Sequence, residues 1–347
     1  MSGIYRLKGT VKNYDWGGFS FIPALLNIEN KEHRPFAEYW MGTHSLGISK
    51  VLLPDGEQME LNELASNLPY LLKVLDVKDM LSIQVHPSKV AAEKEFAREN
   101  KEGIPLDSPK RNYKDDNHKP EMLVALSDFW LLHGFKPEKE LVYTLLNVVE
   151  LRELLPVFNQ SGYAGLYKYV MELPQQEVNR ILQPLINNII PLYREDKLDK
   201  ADEDFWAARA ALTFSGSGNI DRGIFSIYLF NLVQLQKGEA LFQGAGLPHA
   251  YLEGQNVELM ANSDNVLRGG LTAKHIDVKE LLKHVNCQPT VANILTGYQS
   301  GKNKKVFHTP ALDFQMSVFE LQAGDVVSFN PLTVEILLLT DGTVTVS

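Results

Sequence analysis

Residues 224–260 read IFSIYLFNLVQLQKGEALFQGAGLPHAYLEGQNVELM, and the fold class turns on them. Short apolar runs alternate here with turn formers. Ile224–Phe230 reads as a buried strand and Leu232–Leu235 as a second, followed by the turn Gln236-Lys237-Gly238-Glu239. Ala240–Gln243 reads as a third strand, Gly244–Pro248 as a bend and Val257–Met260 as a further short strand. Strands of this length with Gly and Pro at the corners predict an antiparallel sandwich of the jelly-roll kind.

Upstream, the same signal recurs in Ile48–Leu53 and Met80–His86, with the turn formers Pro54-Asp55-Gly56 between them. Residues 88–103 carry a helical pattern with a solvated face, and 104–118 are polar with two prolines, which marks a loop. The period changes between about 137 and 215. Leu141, Leu145, Val148, Val149, Leu151 and Leu155 are spaced for a helix, and helical patterns return at Gly165–Leu173, Gln175–Tyr193 and Asp202–Phe214. Downstream, Phe314–Leu321, Asp325–Phe329, Glu335–Leu339 and Thr343–Val346 read as strands. The expected organisation is a mostly β protein with α: a β unit from 1–136 and 220–289, a helical insertion over 137–219, and a small C-terminal β unit over 290–347. That last unit is either an incomplete second barrel or a cap.

The chain has 347 residues, a formal net charge of −9 and 44% hydrophobic residues, the composition of an ordinary soluble globular protein. The acidic balance argues against general attraction to nucleic acid or an anionic membrane, since neutralising phosphates needs a basic face. A single cysteine, Cys287, excludes an intrachain disulfide and a thiolate-built zinc site. No apolar run approaches the roughly 20 residues of a membrane helix, and Met1–Lys12 reads as strand material and not as a signal peptide. A cytoplasmic monomer or weak homo-oligomer is the expectation.

Three stretches offer four metal ligands. Gln84 and His86 are two apart in a strand-like run and so share a face. Glu121 follows Pro120, whose ring holds Lys119 extended, so Lys119 and Glu121 share a face too. His249 follows the Gly-Pro bend, with Tyr251 pointing the same way along an extended chain. Two imidazoles, a carboxylate and an amide oxygen suit a borderline divalent ion such as zinc. Asp264 and Arg268 lie just behind, and Arg268, followed by two glycines, could hold a phosphate or an enediolate. Lys73, set in the apolar run Leu71–Leu75, needs an anionic partner or an exit to water. Ser82 lies one strand period before Gln84.

The stretches YDWGG (14–18), AEYWMGTH (37–44), LLKVLDVKDMLSIQVHPSK (71–89), NHKPEM (117–122), LPHAY (247–251) and VELMANSDNVLRGGLTAKHIDV (257–278) occur in this order. Together they closely resemble type I mannose-6-phosphate isomerase over residues 5 to 285 or so. The resemblance implies a cupin-type jelly roll with an inserted helical domain, one zinc ion per chain, and interconversion of mannose 6-phosphate and fructose 6-phosphate. It implies Gln84, His86, Glu121 and His249 as metal ligands and Arg268 as an essential arginine. Lys119, Asp264, Tyr251 and Glu258 would line the pocket; Lys119 and Asp264 are the candidates for proton transfer or ring opening. Lys73, Ser82 and Lys274 would serve the sugar phosphate, and Trp16 would shape the pocket or its support. Longer members of the family continue into a fuller second barrel, so the departure is confined to the C-terminus. Two rival readings use the same scaffold: a metal-dependent oxygenase, and a sugar-phosphate-binding protein without activity.

Overall fold

A computed structural model describes residues 3–66, 68–216 and 218–346. Its main sheet has ten strands. In chain order they are β1 (Thr10–Lys12), β2 (Glu38–Gly42), β3 (Tyr70–Val77), β4 (Ile83–Val85), β5 (Glu121–Ala125), β6 (Phe129–Phe135), β7 (Phe230–Leu235), β8 (Ala240–Gln243), β9 (His249–Ala261) and β10 (Leu267–Gly270). Every pairing among them is antiparallel.

The long strand β9 serves two arms. Its C-terminal half pairs with β3 on one side and β5 on the other, giving the order β1-β2-β3-β9-β5-β8. Its N-terminal half pairs with β6 and β4, giving β7-β6-β9-β4-β10. The change of arm falls at Gly254, next to a register shift between Tyr251 and Glu253. Gly254 has φ +124°, and a Cβ there would stand 2.5 Å from the Asp128 carbonyl oxygen, so backbone and space both demand glycine. Leu75, Leu123, Phe129, Leu131, Leu241 and Tyr251 fill the space between the arms. Among the described residues the strand pairings do not close into a barrel.

Helices Glu138–Asn147, Leu155–Glu172, Gln175–Arg194 and Glu203–Phe214 occupy the segment where helical spacing is predicted. Their apolar faces enter one core with the sheet: Leu145, Leu166, Ile181 and Trp206 share it with Ile83, Val85, Leu132 and Phe135. Helix Gln175–Arg194 shows the reason plainly, burying Val178, Ile181, Leu182, Leu185, Ile186 and Ile189 at helical intervals.

Two expectations fail. Residues 223–229 form a helix, and the strand begins only at Phe230. All seven helical residues are buried, so no polar face marks the period, and a short, wholly apolar run does not distinguish strand from helix. The Asp221 carboxylate accepts from the Gly223 backbone N–H, an Asx turn at the entry to the helix. At the C-terminus, Met316–Phe319 pairs with Lys304–Phe307, which pairs in turn with Tyr298–Gln299. The stretches 325–329, 335–339 and 343–346 carry no strand. Alternation supplies a face, but a strand also needs a partner backbone, and Val326 and Leu332 are almost fully exposed. A separate three-stranded sheet joins Arg6–Lys8, Lys50–Leu52 and Gln58–Glu60.

Candidate metal centre

Cross-strand register brings the polar groups together. Arg268 of β10 stands opposite Gln84 of β4, Gln84 opposite His249 of β9, and His249 opposite His133 of β6. Opposed residues of antiparallel strands project from the same face. One row across the second arm therefore presents a guanidinium, an amide and two imidazoles. On the first arm Lys73 opposes Glu258, and Glu121 opposes Gln243.

The rows converge on Glu121. Its Oε2 lies 3.3 Å from His86 Nε2 and 3.2 Å from His249 Nε2, while its Oε1 lies 2.9 Å from Lys119 Nζ. Each imidazole is held from behind. His86 Nδ1 is 2.8 Å from the Asn265 carbonyl oxygen, and His249 Nδ1 is 3.0 Å from that of Leu247. A carbonyl oxygen only accepts, so Nδ1 donates and a neutral ring presents the lone pair of Nε2 to the carboxylate. His86 Nε2 is buried without a hydrogen-bond partner.

Protonation of His86 does not relieve this arrangement at neutral pH. Burial pushes His86 down to about 4, against the opposing pull of Glu121. For Glu121, burial works to raise the pKa, but the charges of Lys119 and His86 overcome it and hold the carboxyl well below its usual range. Two lone pairs and a carboxylate facing one another call for a cation, and donor atoms of the three residues all lie within 4.8 Å of one another. His86, Glu121 and His249 form a metal-binding triad. Gln84, predicted as the amide ligand, lines the same cavity of about 70 Å³, with Glu38, Lys73, Lys119, Tyr251 and Glu258.

Residues 4–138 match the family described as phosphomannose isomerase type I, catalytic domain. The mannose-6-phosphate isomerase of Salmonella typhimurium is 36% identical over 339 residues, an alignment that takes in 92% of this chain and 84% of the relative. The human mannose-6-phosphate isomerase is 32% identical, over 99% of this chain and 89% of its own. A crystal structure of the Salmonella enzyme, described as bound to substrate (f6p) and zinc, superposes with a TM-score of 0.81 at 34% identity, covering 91% of this chain and 83% of that one. This chain belongs to the type I phosphomannose isomerase family.

The other residues singled out in the sequence of this phosphomannose isomerase family member divide by position. Lys73 Nζ is 3.0 Å from Glu258 Oε2, and the Tyr251 hydroxyl donates to Glu258 Oε1 at 2.8 Å. Burial would lower the Lys73 pKa, but Glu258, Glu38 and Glu121 together raise it, so the ammonium persists inside the protein. Tyr251 is raised well above its ordinary value by burial and by Glu258, so its hydroxyl keeps its proton. Asp264 sits at the rim, 3.3 Å from His44 Nε2; burial would raise its pKa, and His44 brings it below the ordinary value.

Arg268 forms no ion pair among the described residues, its Nε is buried without a partner, and burial lowers its pKa. Lys274 is lowered by burial and then by Arg268, which places the two cations in each other's field. Ser82 is half-buried in the coil before β4. The Trp16 carbonyl accepts from the N–H groups of Lys78 and Asp79, and its ring packs on the cluster containing Tyr251.

Glu38, Trp40, His44, His133 and Gln243 were missed. Trp40 Nε1 donates to the Glu38 carboxylate, and the Lys73 ammonium stands 5.1 Å from the Trp40 ring centre. Glu38 and Trp40 alternate in phase within the quoted AEYWMGTH stretch, and that spacing was the available signal. His133 is the lone polar residue of the apolar run FWLLHGF, and a neutral imidazole there demands no counter-charge.

Proposed function

We propose that this chain interconverts mannose 6-phosphate and fructose 6-phosphate as a zinc-dependent aldose–ketose isomerase, with Gln84, His86, Glu121 and His249 as the ligand set. The observation that carries the reading is the pair of imidazole Nε2 atoms turned onto one buried carboxylate oxygen, at 3.3 and 3.2 Å. All-nitrogen and oxygen donors of this kind suit zinc. When bound, the ion would act as a Lewis acid toward a substrate oxygen and offset negative charge that develops there.

The isomerisation moves a proton between C1 and C2 through an enediol, and the protein must stabilise charge on oxygen while holding that proton. Lys119, 2.9 Å from Glu121, lines the cavity and is assigned to proton transfer, with Asp264 as the second candidate at the rim. Arg268, without a carboxylate partner, is assigned to the developing anion. Lys274 and Ser82 are assigned to the phosphate, whose capture orients the sugar. Lys73, expected to serve the phosphate, is bonded instead to Glu258, which also accepts from Tyr251, and the three are assigned to the sugar hydroxyls. Trp16 keeps a supporting role.

All these residues come from 1–136 and 220–289, which we assign as a catalytic unit of the cupin jelly-roll kind. The helices of 137–219 and the strands of 290–347 flank it. No helix among the described residues is long and apolar enough to cross a membrane, and a cytoplasmic setting fits the phosphorylated substrate. A coupled assay with fructose 6-phosphate tests the reading: turnover should vanish with a chelator and return with zinc. Turnover indifferent to chelation, or none in metal-loaded protein, would reject it.

A further inference from the structure

The side chain of Asn265 lies deep beside the metal triad yet faces away from it. It is fully buried, and every hydrogen bond it makes goes to the segment 114–117. Its Oδ1 accepts from the backbone N–H of Lys114 at 2.7 Å and of Asp115 at 3.3 Å. Its Nδ2 donates to the carbonyls of Asp115 at 2.9 Å and Asn117 at 2.8 Å, and to Asp115 Oδ1 at 3.1 Å. Asp115 answers with its carboxylate. Oδ1 accepts from Ser263 Oγ at 2.8 Å and from the Asn117 N–H at 2.9 Å, and Oδ2 accepts from the Asp264 N–H at 2.8 Å.

Two irregular segments are thus tied side chain to backbone in both directions. One runs on to Lys119 and Glu121. The other holds Asp264, leads to Arg268, and presents the Asn265 carbonyl to His86 Nδ1 at 2.8 Å. Neither segment is a strand at the clamp; the nearest ladder contacts lie a few residues on, where Met260 opposes Glu121 and the Ala261 N–H donates to the Pro120 carbonyl.

We propose that Asn265 and Asp115 form a positioning clamp for the metal centre, setting the tautomer and aim of His86 and its distance from Glu121. The inference rests on the metal reading above. A partner behind a ligating imidazole typically changes metal affinity by about 10- to 100-fold when it is lost. Asn265→Ala keeps the backbone carbonyl but frees it to drift, so His86 loses its fixed acceptor.

The test is competition for zinc against a chromophoric chelator, with the visible spectrum of the cobalt-loaded protein as a second readout. Asn265→Ala should bind zinc about 10- to 100-fold more weakly and show an altered cobalt spectrum. Ser263→Ala, which removes the hydroxyl that bonds Asp115 Oδ1 and the Asn117 carbonyl and accepts from the Asn265 N–H, should weaken zinc by a few-fold and serves as the decisive variant if Asn265→Ala does not fold. Tyr228→Phe, which deletes the hydroxyl donating to Asp204 at 2.7 Å away from the site, should lower the melting temperature while leaving zinc affinity unchanged. Unaltered zinc affinity and cobalt spectrum in folded clamp variants would overturn the proposal, as would an equal loss of affinity in Tyr228→Phe. Wild-type protein that takes up no zinc would instead overturn the metal reading itself.

Discussion

Glu121 divides its two oxygens between two tasks, one toward Lys119 and one between the imidazoles. Substitutions around it should therefore separate. Glu121→Gln should abolish metal retention and turnover together. Lys119→Met should keep the metal and lower kcat by about 10²-fold, the usual scale for an acid–base group; zinc analysis and steady-state kinetics on the same preparation check both, and near-normal kcat would remove Lys119 from the proton path. Lys73→Met should cost about 3–5 kcal/mol of stability, because Glu258 would be left buried without its counter-charge; urea unfolding measures this, and an unchanged midpoint would mean that the pair is dispensable. At this scale the sequence was readable where a residue was out of place. Lys73 in an apolar run demanded an anion, and the structure supplies Glu258. Gln84 and His86 announced themselves by their spacing, whereas His133 stands alone in its run, where a neutral imidazole, unlike the Lys73 ammonium, demands no counter-charge.

The elements owe their positions to a few devices. Gly254 lets one strand serve two arms, and Gly254→Ala should destabilise strongly, since φ +124° and a 2.5 Å approach to the Asp128 carbonyl leave a methyl group no place. Thermal melting checks this, and wild-type stability would contradict the role given to the bend. Helices Lys89–Lys101 and Val278–His284 are joined through Glu280, which accepts from Tyr113 at 2.9 Å and Lys283 at 2.6 Å and faces Arg98 at 3.5 Å. Burial would raise the Glu280 pKa, but His284, Lys283 and Tyr113 hold it at about 2, below its ordinary 4.5. The folded value is the lower one, so this contribution is complete above about pH 4.5 and is lost as pH falls toward 2. Glu280→Gln should be less stable than the parent at neutral pH, and the gap in urea midpoint should narrow on acidification; a constant gap would contradict the assignment. Strand Ala240–Gln243 was legible to the residue because turn formers bound it on both sides, Gly238 before and Gly244 after. Residues 223–229 were not, because a helix buried on every side shows no period.

At the scale of the whole molecule, the site exists only because β4, β5, β9 and β10 meet, and their ligands lie far apart in the chain. Local spacing identified Gln84 with His86 and Lys119 with Glu121 as pairs but could not say that the pairs meet; the ordered motifs carried that step. Long-range register completed it by setting Arg268, Gln84, His249 and His133 in one row. The C-terminal stretches show the converse, since alternation beyond residue 320 finds no partner strand among the described residues. Metal held between β4, β5 and β9 should also stabilise the fold by mass action, by about 2.7 kcal/mol at a hundredfold excess over Kd. The most direct test of the central claim is the zinc content of purified protein, read beside its turnover of fructose 6-phosphate, for the wild type and for His86→Ala with His249→Ala. The account predicts one zinc per active chain, and neither zinc nor turnover in the double variant. A double variant that still isomerises the sugar phosphate, or a wild type fully active without metal, would contradict it.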